Sequence, residues 1–148
     1  MKPLLVLLIA FVIALLVTYL MGTTDVNRSG RIAMGVMLLF TSIGHFKFRR
    51  GMELMMPPLI PFKKELVLVT GLFEIVAAIG LLLDATARWT GLALVVFFIL
   101  ILPANIYAAI KKVDFEKATY EGKGTGYLWF RVPLQIFFIA WALYFAVL

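Results

Sequence analysis

The sequence contains no cysteine and only one histidine in 148 residues. Without cysteine, the chain cannot form a disulfide, a thiolate metal site, an iron–sulfur cluster or a dithiol redox centre. One histidine cannot supply the two axial imidazoles common in membrane cytochromes, nor a multi-histidine metal site. We therefore expect no metal site and no cofactor built into the chain.

Charge is also scarce, since charged residues make up 15% of the chain and hydrophobic residues 64%. The mean hydropathy of +1.04 leaves too little polar surface to coat a soluble domain of this size. The composition predicts an all-α integral membrane protein. The net charge of +6 does not indicate nucleic-acid binding, because basic residues in short loops suit anionic lipid headgroups. Membrane lipids are the expected partners.

Five apolar stretches predict the transmembrane helices, at residues 4–21, 32–46, 66–83, 89–110 and 126–148. A helix needs about 20 apolar residues to cross a hydrocarbon core of about 30 Å, and four of the stretches qualify. The stretch 32–46 is short, but Ser29, Gly30, the aliphatic stem of Arg31 and the ring of Phe48 can extend it. We predict a helical bundle with five spans.

The basic residues indicate the topology, because Lys and Arg concentrate in cytoplasmic loops. Five spans divide them 11 to 3. The larger group is Lys2, Lys47, Arg49, Arg50, Lys63, Lys64, Lys111, Lys112, Lys117, Lys123 and Arg131, and the smaller group is Arg28, Arg31 and Arg88. This division predicts an inner (plasma) membrane protein with a cytoplasmic N-terminus and an external C-terminus.

The first helix has two interpretations. Met1, Lys2 and Pro3 before an uncharged run are typical of a secretory signal, but the run is long and lacks a small-x-small cleavage site. We favour an uncleaved anchor helix, and both interpretations leave the orientation of the other helices unchanged.

Two connections lie on the predicted cytoplasmic side. Residues 51–62 are apolar and contain three prolines, so they should not form a continuous helix and are too short to cross. This segment is either an interfacial anchor or a lid over a cavity, and the lid residues would be Met55, Met56, Pro57, Pro58 and Pro61. Residues 111–125 are predicted to form a flexible surface loop.

Five polar residues interrupt the apolar stretches on one side of the membrane: His45, Glu74, Asn105, Arg131 and Gln135. With a helical rise of 1.5 Å per residue, Glu74 and Gln135 should lie about 13 Å, Asn105 about 9 Å and Arg131 about 7 Å from their helix ends. His45 should lie close to the cytoplasmic end of its helix. An ionisable residue in hydrocarbon costs about 2.5 to 3.5 kcal/mol on insertion scales, so Glu74 requires a partner, a proton or a function.

This cluster has a structural and a functional interpretation. Glu74 and Arg131 could form a buried ion pair, with Asn105 and Gln135 bridging helices by hydrogen bonds. Alternatively, desolvation and a nearby Arg could balance the charge of Glu74 as a proton-handling or headgroup-binding site requires. In the functional interpretation all five residues bind a ligand, with Pro103 freeing a backbone carbonyl toward a cavity.

Several of these residues lie in motifs that resemble the DoxX and DoxX-like family of small membrane proteins. The motifs are HF at 45–46, MMPPLIP at 55–61, GLFE at 71–74, GLLL at 80–83 and PANIY at 103–107. The resemblance covers the chain from about Arg31 onward and implies a four-helix membrane bundle at 31–148, with an additional N-terminal helix at 1–24. His45, Glu74 and Asn105 fall on the family-like motifs.

The family's namesake is a subunit of a thiosulfate:quinone oxidoreductase, so the resemblance implies a redox-associated subunit. Because the chain has no redox group of its own, a bound quinone or a redox partner subunit would have to carry electrons. We expect a cytoplasmic-side pocket for a quinone or a similar amphipathic molecule, and the alternative is a non-catalytic assembly subunit. A transporter is disfavoured by the lack of an inverted repeat. Enzymatic activity, catalytic residues and homo-oligomerisation remain open.

Overall fold

A computed structural model describes residues 2–122, 124, 126 and 128–148. Within them the regular elements are helical, as predicted. The helices are α1 (Lys2–Leu20), α2 (Val26–Lys47), α3 (Arg49–Leu54), α4 (Lys63–Leu82), α5 (Asp84–Ile110) and α6 (Leu128–Ala142), which continues as a π-helical turn (Leu143–Val147). Met1, Lys123, Thr125 and Tyr127, which belong to the predicted first segment, cytoplasmic loop and last span, lie outside the described residues.

In the described part of the chain, four helices are long and apolar enough to cross a membrane: Lys2–Leu20, Lys63–Leu82, Asp84–Ile110 and Leu128–Val147. The predicted fifth span corresponds to α2, which has 22 residues but is not among these four. Its lower hydropathy has a structural reason, since α2 packs against α1, α3, α4, α6 and the π-helical turn. Ser29 and Ser42 are buried on it, so part of its polar content faces protein. The structure supports a membrane bundle without establishing five spans.

Two helix pairs of the bundle, α2 with α4 and α5 with α6, bring together its buried polar side chains. Gly35 and Gly71 are buried on the first pair, and a Cβ at Gly35 would lie 3.3 Å from the Ala78 carbonyl. Contacts between α4 and α5 join the pairs, with the Phe73 and Phe97 rings 4.9 Å apart. Helix α1 packs on α2 and buries Leu7 completely.

Contacts between side chains identify the two ends of the bundle. At one end Lys2 Nζ lies 3.3 Å from Glu116 Oε1, and the Phe48 ring meets the edge of Phe115 at 5.8 Å. At the other end Arg31 Nη2 donates to Asp84 Oδ1 at 2.8 Å. The N-terminus, the segment 48–62 and the connection 111–122 therefore lie at the same end.

The proline-rich segment interrupts the helices as predicted. Helix α3 ends at Leu54, before Pro57 and Pro58, and α4 begins at Lys63, after Pro61. Phe62 adopts a left-handed conformation at φ 56°, which turns the chain into α4. The segment joins the ends of α2 and α4, and the lid function remains a prediction.

The connection 111–122 forms a hydrogen-bonded turn in its described part, and its flexibility stays a prediction. The backbones of Asp114 and Thr119 exchange hydrogen bonds at 2.8 and 3.2 Å. Asp114 Oδ1 accepts from the backbone N–H groups of Glu116 and Lys117 at 3.2 and 3.3 Å. These local hydrogen bonds order the backbone without apolar burial, which hydropathy cannot detect.

Candidate functional site

Helices α2 and α4 hold a buried acid–histidine cluster, which we define as Thr41, His45, Thr70 and Glu74. Glu74 is 5% exposed, and its Oε1 lies 3.4 Å from His45 Nε2. Its other oxygen accepts a hydrogen bond from Thr41 Oγ1 at 3.1 Å. Both carboxylate oxygens therefore have a partner on α2.

The second nitrogen of His45 indicates how protons are placed in this cluster. Nδ1 lies 3.0 Å from the Val67 carbonyl and 3.1 Å from Thr70 Oγ1. A carbonyl can only accept, so the Val67 contact is favourable when Nδ1 carries a proton. The contact between Nε2 and Glu74 then needs one further proton, on the imidazole or on the carboxyl. The pair is thus suited to holding a single mobile proton between two helices.

Gly71 permits this contact. A Cβ at position 71 would lie 2.7 Å from His45 Cβ and 3.2 Å from His45 Cγ. Such a Cβ would have to displace the imidazole, so α4 approaches α2 closely only because residue 71 has no side chain. The motif GLFE thus contributes a carboxylate and, one turn earlier, the space for its partner.

Helices α5 and α6 hold a second group, the amide–arginine cluster, defined as Asn105, Arg131 and Gln135. Arg131 Nη2 donates to Asn105 Oδ1 at 3.1 Å, and Asn105 is 5% exposed. A guanidinium only donates, so the amide oxygen must face Arg131. The amide nitrogen is thereby directed elsewhere, and it is buried without a hydrogen-bond partner among the residues that the structure describes.

Gln135 bonds to the backbone of the opposite helix. Its Nε2 donates to the Phe98 carbonyl at 2.9 Å, and the residue is 3% exposed. Pro103 lacks an N–H, so the carbonyl deprived of its helical partner is that of Ile99, the next residue. Gln135 therefore does not bind the carbonyl that Pro103 was expected to free for a cavity. Gln135 instead adds a bond to a carbonyl beside the disrupted position.

The five predicted residues therefore form two clusters. Among the described ion pairs, Glu74 is paired with His45, and the expected pair of Glu74 with Arg131 is not found. This possible pair is not formed because depth does not show which helices are neighbours, and the helix order puts α4 beside α2. His45 contacts Glu74, and Arg131 contacts Asn105, so four of the five predicted residues contact another of the five. Gln135 instead donates to a backbone carbonyl.

Two residues of the acid–histidine cluster were not predicted from the sequence. Thr41 precedes His45 by four residues, and Thr70 precedes Glu74 by four. Residues four apart lie on one helix face, so this spacing could have identified both hydroxyls. Ser42, three residues before His45, is buried, but its hydroxyl donates to the Leu39 carbonyl of its own helix.

Two cavities among the described residues lie outside these clusters. An apolar groove of about 120 Å³ opens between α2 and α4, and a polar cleft of about 490 Å³ opens between α3 and the connection 111–122. Neither is lined by His45, Glu74, Asn105, Arg131 or Gln135. The expected cytoplasmic-side pocket around these five residues is thus not one of the two cavities.

Comparison with known proteins gives one match. Residues 34–146 fit the family model described as Domain of unknown function (DUF8561). The chain belongs to this family. The matched range contains every residue of both clusters and leaves α1 outside. No curated protein and no solved structure matches the chain.

Proposed function

We propose that this protein binds an amphipathic small molecule within the membrane and that a quinone is the candidate ligand. The observation that carries the proposal is the buried Asn105 amide nitrogen, which has no acceptor among the described residues. A buried donor without an acceptor costs about 1–3 kcal/mol, and a ligand carbonyl would remove that cost. Arg131 orients the amide and adds a permanent positive charge beside it.

The acid–histidine cluster would handle the proton in this proposal. Reduction of a quinone consumes protons as well as electrons, so a site that serves it needs a group that can exchange one. Inside the bundle, His45 Nε2 and Glu74 Oε1 lie 3.4 Å apart, so one proton could reside on either group. The chain carries no electron carrier of its own, so a redox partner subunit would supply electrons. The choice of a quinone rests on the resemblance to DoxX-like proteins.

Ligand access requires movement. Asn105 is 5% exposed and lines neither of the two cavities, so we propose that side chains around it shift to admit a ligand carbonyl. Residues 55–61 remain the proposed lid.

The second candidate function is a non-catalytic assembly subunit of a membrane complex. It is favoured by the interhelical bonds from Gln135 Nε2 to the Phe98 carbonyl and from Trp141 Nε1 to the Gly30 carbonyl, both at 2.9 Å. Such bonds are typical of a bundle whose polar residues hold helices together. Co-purification in mild detergent separates the candidates, because an assembly subunit retains stoichiometric partners and binds no quinone analogue.

The decisive variant is Asn105→Asp. It retains an oxygen for Arg131 and replaces the unpaired donor with an acceptor, so binding of a quinone analogue should weaken by about tenfold or more. Asn27→Asp makes the same chemical change at an exposed position and should leave binding unchanged. Affinity is measured by titration of detergent-solubilised protein with the analogue. Equal affinity of Asn105→Asp and the parent would reject the site at Asn105.

The proton role is tested separately with Glu74→Gln. Loss of the titrating carboxyl should flatten the pH dependence of analogue binding, while the amide keeps hydrogen-bonding capacity for Thr41. A pH dependence that is unchanged in Glu74→Gln would remove Glu74 from the proposal.

We also propose that the end containing Lys2 and Glu116 faces the cytoplasm of a cell whose plasma membrane holds the protein. The 11 to 3 division of basic residues supports this orientation. The cysteine-free chain allows a direct test by Lys117→Cys, which should resist an impermeant thiol reagent in intact cells. Labelling in intact cells would reverse the orientation.

A further inference from the structure

We propose that the polar cleft between α3 and the connection 111–122 binds the anionic phosphate of a lipid headgroup. The cleft is lined by Arg50, Glu53, Leu54, Lys117 and Ala118 and has a volume of about 490 Å³. Small-molecule sites usually have volumes of about 300–1,000 Å³. This site is separate from both clusters and does not depend on the proposed quinone.

The charges of the cleft favour an anion. Arg50 on one wall and Lys117 on the other are both exposed. Among the described residues the acidic residue that lines the cleft is Glu53, and its Oε1 lies 3.8 Å from Arg49 Nε on the same helix. Because Arg49 offsets the charge of Glu53, the positive charges of Arg50 and Lys117 remain for a ligand. A phosphate oxygen can accept hydrogen bonds from both side chains.

The walls are held in fixed relative positions. Gly51 on α3 is buried where its backbone meets the Phe115 carbonyl, and a Cβ there would overlap that carbonyl. The Phe48 and Phe115 rings contact each other beside it. The hydrogen bonds of Asp114 order the turn that carries Lys117. Arg50 and Lys117 therefore come from distant parts of the chain but face one preformed opening.

The location favours a lipid phosphate over a larger partner. One wall of the cleft is α3, which directly precedes the connection to α4, a helix long and apolar enough to cross a membrane. On the same connection Leu59 is 95% exposed and Phe62 is 75% exposed, as expected for apolar side chains inserted among lipids. A headgroup phosphate at this level would lie beside the cleft while its acyl chains remain in the bilayer.

The test compares two double variants in nanodiscs of phosphatidylcholine containing phosphatidylglycerol. Arg50→Gln with Lys117→Gln removes both charges from the cleft. Lys64→Gln with Lys111→Gln removes two charges from exposed positions outside it. Native mass spectrometry measures the affinity for phosphatidylglycerol. At about 1 kcal/mol for each basic residue, the cleft variant should bind about 30-fold more weakly than the parent.

The control should retain most of the affinity. An equal loss in both double variants would overturn the proposal, because it would show diffuse attraction to the membrane surface. A second arm titrates lipid-free protein in detergent with inorganic phosphate. Phosphate binding that the cleft variant loses would assign the same site to free phosphate, whereas lipid binding alone assigns it to the headgroup. Absence of binding in both arms would reject an anion site.

Discussion

The α2–α4 pair and the α5–α6 pair differ in whether their buried polar side-chain atoms have hydrogen-bond partners. Between α2 and α4, both oxygens of Glu74 and both ring nitrogens of His45 have partners. Between α5 and α6, Arg131 holds Asn105 by its oxygen, and the amide nitrogen has no acceptor in the described part of the chain. The first pair is internally satisfied, while the second leaves a donor that an added acceptor would satisfy.

The difference follows from the chemistry of the charged residues. A carboxyl and an imidazole can lose their charges by moving one proton, so the acid–histidine cluster can remain neutral in the membrane. A guanidinium stays charged and must always be supplied with acceptors. Asn105 provides one with its only acceptor atom, so its donor is left over. In the proposed function, proton exchange and recognition of a ligand acceptor would therefore belong to different helix pairs.

The largest predicted effect is the loss of one partner of the buried pair. His45→Leu leaves the Glu74 carboxyl with Thr41 as its remaining side-chain partner and should lower the free energy of unfolding by about 3 kcal/mol. This is the lower end of the range for buried pairs, because Thr41 still donates a hydrogen bond to the carboxyl. Unfolding in detergent measures the change.

The matched control is His45→Leu combined with Glu74→Leu, which should recover much of the loss because no buried charge remains. Strictly additive losses in the double variant would contradict a coupled pair and remove the distinction between the two clusters.

A smaller effect is predicted for Gly71→Ala. The new Cβ would press on the imidazole of His45, so stability should fall by about 1–3 kcal/mol, as for other overpacked sites. Gly126→Ala is the control, because a Cβ there meets no atom within 4 Å. Thermal unfolding of both variants measures the difference. Equal stability would show that α2 and α4 can separate without cost.

The smallest effect is predicted for Gln135→Leu. Loss of the bond to the Phe98 carbonyl should cost about 0.6 kcal/mol, the average for interhelical hydrogen bonds in membranes. Ile136→Leu, an apolar exchange at the exposed neighbouring position, is the control for unfolding in detergent. A loss as large as that of His45→Leu would mean that the α5–α6 pair depends on its polar residues as strongly as the α2–α4 pair.

Part of the site could be predicted from the sequence. Glu74, Asn105 and Gln135 were expected in a polar cluster within the membrane spans, and all three are buried. Helical periodicity determines which residues share a face, and an apolar surrounding favours the inward orientation of a polar residue. His45 and Arg131 each contact another residue of the predicted group. The partner of Arg131 is Asn105 and not Glu74.

Partners could not be predicted by counting residues from helix ends. That count places His45 near the end of its helix and Glu74 deep in its own, yet their side chains lie 3.4 Å apart. His45 lies two residues before the end of α2, and Gly71 lies eight residues after the start of α4. Because the two residues pack side by side, α4 extends six residues, or about 9 Å, beyond the end of α2. The count assumes that all helices end in one plane. The ends of α2 and α4 are offset, and α3 packs against both helices.

The sequence by itself determined the membrane class, the approximate helices and the burial of the main polar residues. These properties depend on the local cost of transferring each residue from water, which composition and periodicity contain. The tertiary structure alone decided that Glu74 pairs with His45 and Arg131 with Asn105. Pairing depends on the order, vertical offset and close approach of the helices, and these arise from packing between segments distant in the chain.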